Sequence, residues 1–574
     1  MPVNKRVVHI LSNLSLYISI SGILIFLYEI GYGKYNATEV AYPAIYIIVG
    51  VLGITTLVCR MANTRFREII SHSVMISDII MSLLFIIFIF WSLKFHDFFG
   101  IYLIPVMVFV REASVHLPSF NRKHINPAKI FVASFLLMIL LGAVLLEMPN
   151  ATPQGITFVD ALFTSASAVC VTGLNTLSTH SDFTVIGRSI ILLLIQIGGL
   201  GIMTIAVYFA RFFRGKTTYE NRIIIGQVTG VNRLAEVTLL IRRIILITFT
   251  IELMGAIAIF LCLPQQLGLD LRHRLFFSVF HSISAFCNAG FSTLDTGLAG
   301  PILHTAYSIH WIIALLIILG GIGFFVIDDV REHTIKTIKY KREIFINTPI
   351  KRISNTSRIV LITTGALLAF GTIMLLLMEW NGVLSDLPWE GKITAAFFQS
   401  TTCRTAGFNT IDITQLSIPG ILLMLFLMWV GASPASTGGG IKTTAIAVAM
   451  LTIYNVLRGR DRVEVFHRKL TRHTIYRAFS VVILSIMTII VNTCLLSITE
   501  PRFTLTQLLF ETTSAYGTVG LSLGVTPLLS EAGKYIVIFT MFTGRVTMLT
   551  LLMSLVPPAK IQQYKCPKEE ITIS

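Results

Sequence analysis

Apolar residues in this chain come in long unbroken runs, not with the period of a half-buried helix or strand. One set of runs lies near 129–148, 244–263, 359–379 and 478–499. A second set alternates with it, near 187–210, 305–327, 417–454 and 533–556. Each is about the twenty residues that a helix needs to cross a bilayer core. Between each outer run and the inner run that follows lies a short segment of small and polar residues. These segments read Phe163-TSASAVCVT-Gly173, Phe280-HSISAFCNA-Gly290, Phe397-FQSTTCRTA-Gly407 and Phe510-ETTSAYGTV-Gly520, and each glycine is followed by Leu or Phe. The glycines are 117, 117 and 113 residues apart. Self-similarity at a fixed period marks a repeated structural unit. The pattern predicts four copies of an outer helix, a half-crossing loop and an inner helix.

Composition and charge set the orientation. The 574 residues are 54% hydrophobic and 13% charged, with mean hydropathy +0.79. That is far from a soluble domain and predicts an all-α polytopic membrane protein embedded in the lipid bilayer. The net charge of +16 does not indicate nucleic acid. The basic residues sit in the connections Arg211 to Arg243, Arg331 to Arg358 and Arg458 to Arg477, the positive-inside pattern of a membrane protein. With all three connections on the cytoplasmic side, the four units are parallel repeats about a pseudo-fourfold axis along the membrane normal. The expected boundaries are 129–243, 244–358, 359–477 and 478–556, with a cytoplasmic tail at 557–574. The tail is too short for a regulatory domain.

Residues 1–128 form an additional module. Lys5 and Arg6 precede an apolar run to about Ile30 that has no A-x-A site, so it reads as a retained first helix with its N-terminus inside. Further runs lie near 42–58, 74–93 and 99–110. Four crossings put Arg60, Arg65, Arg67, Arg111, Arg122 and Lys123 on the cytoplasmic side; three crossings put the wrong loops inside. Both termini are then cytoplasmic in a multi-pass protein of the cell (inner) membrane. The fourth run has no regular row of arginines and does not read as a voltage sensor.

The repeated loops carry the chemistry. Bare backbone is tolerated at membrane depth only where protein buries it or water meets it. Small side chains before each glycine let the backbone face an axis, and glycine supplies φ freedom with no Cβ in the lumen. The residues before each loop, such as 157–168, are expected to form a short helix. Its C-terminal, electronegative end would face the axis and favour a cation. A single such segment is an ordinary Ser/Gly-rich turn. Four at near-equal spacing point to a ring of carbonyls that takes the place of an ion's water.

The segments AVCVTGLNT, AFCNAGFST, TCRTAGFNT and AYGTVGLS resemble the four filter loops of the Trk/Ktr/HKT superfamily of potassium transporters, over roughly 129–556. The resemblance implies that Gly173, Gly290, Gly407 and Gly520 are filter glycines holding K+. The preceding residues would supply further carbonyls: Cys170, Val171, Thr172; Cys287, Asn288, Ala289; Arg404, Thr405, Ala406; and Gly517, Thr518, Val519. In that family a serine at the first glycine accompanies sodium transport, so four glycines imply potassium. Arg404 is expected to point behind the filter and to pair with an acidic residue such as Glu511, since a cation on the path repels potassium. The third inner run reads Gly431-ASPASTGGG-Ile441-Lys442. Its proline and glycines break a helix, either as a packing kink or as a loop under the filter. By resemblance, 431–444 is an intramembrane gating loop with Gly438, Gly439, Gly440 and Lys442 matching, and Arg545 lies beside it. Homodimers and a soluble nucleotide-binding regulatory subunit of RCK/KTN type are implied as partners, and no cofactor beyond potassium as substrate.

Other features read more plainly. Asp328, Asp329, Glu332 and His333 end a spanning helix and are taken as solvated charge, not a metal cluster. The seven cysteines include no CxxC pair and are taken as reduced and mostly buried. No nucleotide-binding glycine motif follows a strand, and no cluster suggests an enzyme. The alternative function is a sodium- or proton-coupled potassium symporter. That reading predicts inverted repeats with helices broken in corresponding halves, whereas only the third inner run carries an evident break.

Overall fold

The computed structural model describes residues 5–33, 41–62, 127–212, 237–342 and 353–556, apart from 269, 296 and 461, with isolated helical positions between 83 and 112. Two compact units are present. One comprises Met1–Lys123 and Met148–Gly155; the other comprises His124–Glu147 and Ile156–Ser574.

In the first unit, α1 (Lys5–Tyr32) packs on α2 (Ala41–Ala62). Tyr46 and Val49 are buried with Ile104 and Val108, against Ile18 and Ile25. Tyr46 donates to Glu29 at 2.9 Å, and Ser12 donates to Glu112 at 2.6 Å. The side-chain amide of Asn150 donates to the carbonyls of Ile30 and Gly33, each at 2.9 Å, which ties 148–155 to the end of α1. The expected runs at 74–93 and 99–110 lie largely outside the described residues, as do the 213–236 connection and the 557–574 tail.

The second unit contains the predicted alternation. Outer helices are α3 (Pro127–Leu146), α6 (Val237–Cys262), α10 (Asn355–Glu379) and α14 (Arg472–Thr499). Short helices are α4 (Phe158–Cys170), α7 (Leu271–Phe286), α11 (Trp389–Thr402) and α15 (Leu505–Gly517). Inner segments are α5 (Val185–Phe212), α8 with α9 (Tyr307–Ile322, Phe324–Arg342), α12 with α13 (Ile418–Trp429, Thr443–Leu457) and α16 with α17 (Glu531–Val546, Met548–Leu555). Among the described residues, five helices are long and apolar enough to cross a membrane, or seven if each bent pair is one span. A small hairpin, β1 (Glu464–Val465) with β2 (Arg468–Lys469), lies in the connection before α14.

The expectation of a single broken inner helix does not hold. The α8/α9 pair bends by 98° at Gly323 and the α16/α17 pair by 90° at Thr547, in addition to the break between α12 and α13. Gly323 (φ 99°) is suited to such a turn, but Thr547 (φ 68°) is not. Neither site carries a proline, although Gly320, Gly321 and Gly323 cluster at the first. Their cause is tertiary and lies in the loop between α12 and α13, described below.

The same packing recurs from unit to unit. Ser165, Ser282 and Ser400 of the short helices each donate to an outer-helix carbonyl, of Ile139, Glu252 and Leu368 respectively. Three residues further along those outer helices stand Gly142, Gly255 and Gly371, where a Cβ would collide with the same serines. The fourth unit substitutes a Thr493–Thr512 hydroxyl pair at 2.7 Å. On the inner side, Gly198, Gly320 and Gly544 meet the carbonyls of Val169, Phe286 and Tyr516, each four residues before a loop glycine. Glycine lets backbone approach backbone there. Replacing Gly198 with Ala forces a methyl into the Val169 carbonyl, and overpacking of this kind costs about 1–3 kcal/mol. A lowered unfolding temperature of the detergent-purified Gly198→Ala protein is the expected outcome.

Candidate functional site

Each short helix runs directly into its glycine loop. In units one, two and four the helix ends in paired backbone bonds. Val171 and Thr172 donate to Ala168 and Ser167, Asn288 and Ala289 to Ala285 and Ser284, and Thr518 and Val519 to Ala515 and Ser514. This is the closure of a helix by a left-handed residue. Unit three departs from it: Arg404 and Ala406 donate to Thr401 and Thr402. Even so, all four loops share one backbone shape. Val171, Asn288, Thr405 and Thr518 have φ of 58°, 60°, 81° and 50°, and the glycines two residues later have 92°, 70°, 82° and 85°. Positive φ is costly for residues other than glycine, about 1–3 kcal/mol each. The surrounding structure must therefore impose it four times over.

The four loops close into a ring. A Cβ on Gly173 would collide with the carbonyl oxygen of Ala289, on Gly290 with that of Ala406, on Gly407 with that of Val519, and on Gly520 with that of Thr172. Each glycine thus abuts the residue preceding the next glycine, in chain order, and the fourth returns to the first. Cys170, Cys287 and Cys403 are buried free thiols. The Asn288 side-chain amide and the Thr405 hydroxyl lie 3.2 Å apart, joining loops two and three.

Arg404 is 7% exposed. Its side chain lines a narrow gap with Ile317, Gly321, Thr364, Leu368 and Thr401, between the third outer helix and the second inner helix. The expected pairing with Glu511 is absent. The Glu511 carboxylate instead accepts from Ser522 at 2.7 Å and from Thr526. The two groups belong to different loops, and hydroxyls of its own loop already occupy the Glu511 oxygens.

The segment between α12 and α13 sits against this ring. Gly439 N donates to Thr518 Oγ1 at 2.9 Å, and a Cβ on Gly438 would collide with Thr405 Oγ1. Thr437 Oγ1 donates to the carbonyl of Phe286 at 3.1 Å. The breaks in the neighbouring inner helices now have their reason. Ser433 N and Thr437 N donate to the carbonyls of Gly321 and Gly320, and Phe324 N donates to that of Ala435. Gly440 N donates to the carbonyl of Gly544, just before the Thr547 bend. Groups that a continuous helix would pair internally are paired with the loop. Lys442 Nζ donates to the carbonyl of Gly438 at 2.7 Å. Arg545, 2% exposed, donates to the carbonyls of Thr437 and, at 2.6 Å, Gly198. It therefore bridges the loop to the unbroken inner helix α5. A cavity of about 710 Å³ opens on the far side of the loop, lined by Ser436, Lys442, Arg477, Arg545 and the acidic end of the second inner segment.

The groups of that acidic end are engaged by neighbouring side chains and backbone. Asp328 pairs with Arg243 at 3.3 Å, Asp329 accepts from Ser354 N and Ser357 Oγ, and Glu332 pairs with Lys336. Sequence reasoning missed Glu379 and Glu500, which close the outer helices and accept the amides of Ser417 and Ser530 at the starts of α12 and α16. A lone acid ending an apolar run was the available signal.

A closed ring of four backbone loops inside a helical membrane unit defines an ion-transport protein. A family profile described as TrkH, cation transport protein, matches residues 106–564, and the chain belongs to that family, within the Trk/Ktr/HKT superfamily. Transport, not enzymatic chemistry, is its class. Among its relatives, the potassium/sodium uptake protein NtpJ of Enterococcus hirae is 34% identical over 79% of this chain and 98% of its own. The Ktr system potassium uptake protein B of Bacillus subtilis is 36% identical over 75% and 93%. The crystal structure of the potassium transporter TrkH from Vibrio parahaemolyticus shares the fold with a TM-score of 0.61 at 18% identity, covering 90% of this chain and 99% of that one.

The Gly439–Thr518 bond ties loop to ring and is separable from both. Thr518→Val removes the acceptor at nearly constant volume. Losing the partner of a buried donor costs about 1–3 kcal/mol, so amide exchange across 433–442, followed by mass spectrometry, is expected to quicken by roughly ten-fold.

Proposed function

We propose that this protein takes up potassium across the cell membrane through the ring at Gly173, Gly290, Gly407 and Gly520. The observation that carries this is the mutual closure of the four loops, with every glycine set against the carbonyl of the next unit. Carbonyl oxygens so arranged replace the water of a dehydrated cation. The short helices end at Cys170, Phe286, Thr402 and Gly517, immediately before the ring, so their electronegative ends favour a cation there. The residues at 170–172, 287–289, 404–406 and 517–519 supply the successive carbonyls. Arg404 acts from behind the loop.

The segment 431–444 is the gate. It obstructs the path beneath the ring, and it does so electrically as well as sterically: the Arg545 guanidinium is held against the loop. Opening requires the loop to leave, which breaks its bonds to Gly320, Gly321, Phe324 and Gly544. The inner helices must adjust with it. The protein functions as a homodimer, and a soluble nucleotide-binding subunit on the cytoplasmic face supplies the drive. The coupled-symporter reading loses one objection, because three inner segments are broken instead of one. The ring built by all four units still favours the channel-like route.

Flux into liposomes holding the purified chain, with potassium, rubidium and sodium compared, tests the substrate. Gly173→Ser is expected to raise sodium flux relative to potassium; an unchanged ratio removes Gly173 from the filter. For the gate, deletion of Gly438–Gly440 is expected to raise potassium flux, and Arg545→Ala to move it the same way. Each Arg545 bond to a carbonyl contributes about 1.5–3 kcal/mol, enough for a several-fold change. Wild-type flux in both folded variants makes the segment a kink and sends the search for the gate elsewhere.

A further inference from the structure

We infer that His281 and Glu511 are positioning residues for selectivity, bracing two opposite loops of the ring from behind. This rests on the filter reading above. Both stand nine residues before their loop glycine, on α7 and α15, and both are fully buried. Each reaches the serine two residues after that glycine. His281 Nε2 lies 3.0 Å from Ser292 Oγ, and Glu511 accepts from Ser522 Oγ at 2.7 Å.

The chemistry of each brace follows from its partners. His281 Nδ1 faces the Phe277 carbonyl at 2.9 Å. A carbonyl only accepts, so Nδ1 carries the proton and Nε2 receives the Ser292 hydroxyl. The ring is held in that orientation by stacking on Phe277, with centroids 3.9 Å apart, and it also touches Phe408 of the third loop. In the fourth loop the Ser522 hydroxyl donates to Glu511 and accepts from Gly524 N and Val525 N. The carboxylate therefore orders the descending strand of the loop, and its second oxygen takes Thr526.

Loops one and three lack the device. Ahead of the anchoring Ser165 and Ser400 they carry Thr164 and Gln399, and two residues after the glycine Asn175 and Asn409; the side chain of Gln399 and the side-chain oxygens of both asparagines have no hydrogen-bond partner. Because the ring closes in chain order, loops two and four face each other across it. On the snug-fit account of a carbonyl ring, selectivity depends on how firmly the carbonyls hold their spacing; Ser167 Oγ holds Gly173 N in loop one, and the longer braces to the far side of the loop fall on one diagonal.

The test is the sodium-to-potassium flux ratio of the full chain in liposomes, with Gly173→Ser measured alongside. Glu511→Ala is expected to raise the ratio by roughly three- to ten-fold, since it removes both buried hydrogen bonds to the loop. Glu511→Gln, which still bonds both hydroxyls, is expected to keep the ratio near that of the wild type. Ser522→Ala cuts the brace from its other end and decides the matter if Glu511→Ala does not fold; Ser292→Ala does the same for His281. Wild-type ratios in Ser522→Ala and Ser292→Ala, while Gly173→Ser shifts, overturn the braces and leave the filter standing. A Gln variant as damaged as the Ala variant also overturns them. No shift in Gly173→Ser brings down the filter reading itself.

Discussion

The structure depends on one constraint: within a bilayer, backbone N–H and C=O groups must find partners in the protein. Three of the four inner segments interrupt their helices, and each interruption frees such groups. They are satisfied by one another. The carbonyls of Gly320 and Gly321 take the amides of Thr437 and Ser433, the amide of Phe324 takes the carbonyl of Ala435, and the carbonyl of Gly544 takes the amide of Gly440. Unsatisfied, any of these groups would cost several kcal/mol in hydrocarbon. The loop cannot shift without exposing them, which ties its position to the bends at Gly323 and Thr547.

The same constraint explains the ring. Loops that turn back halfway across a membrane must present backbone to protein or to a water-filled path. Here they do both. Inner-helix glycines such as Gly198 and Gly544 admit the ends of the short helices to backbone contact. Serines such as Ser165 and Ser282 anchor those helices to the outer ring. Positive φ at Val171, Asn288, Thr405 and Thr518 persists because both ends of each loop are held. The third loop reaches the same shape by different bonds, and its Arg404 occupies a gap behind the ring.

Membership of the TrkH family rests on the profile over 106–564 and on relatives above 30% identity across most of the chain. The likeness to the Vibrio parahaemolyticus structure spans a larger share, 90% of the chain, at 18% identity. Fold is thus shared further than sequence. Within that shared fold the polar details differ between units, and the alternation of His281 and Glu511 with Thr164 and Gln399 is written into this chain's own residues.

The four-unit plan, the helix–loop–helix order and the glycines of the ring were legible in the sequence, because membrane spans need long apolar runs and a repeated backbone shape needs repeated small residues. The third break was legible too, since proline and consecutive glycines announce it locally. The bends at Gly323 and Thr547 were not. The partners of their freed groups lie more than a hundred residues away, as Ser433 does from Gly321, and no local pattern encodes that. The pairing of Arg404 with Glu511 was misjudged for a related reason. Opposite charge suggests a bond, but only the folded loop brings the Ser522 and Thr526 hydroxyls to that carboxylate first. Spacing along the chain determined which residues form the ring; three-dimensional proximity decided which groups hold it.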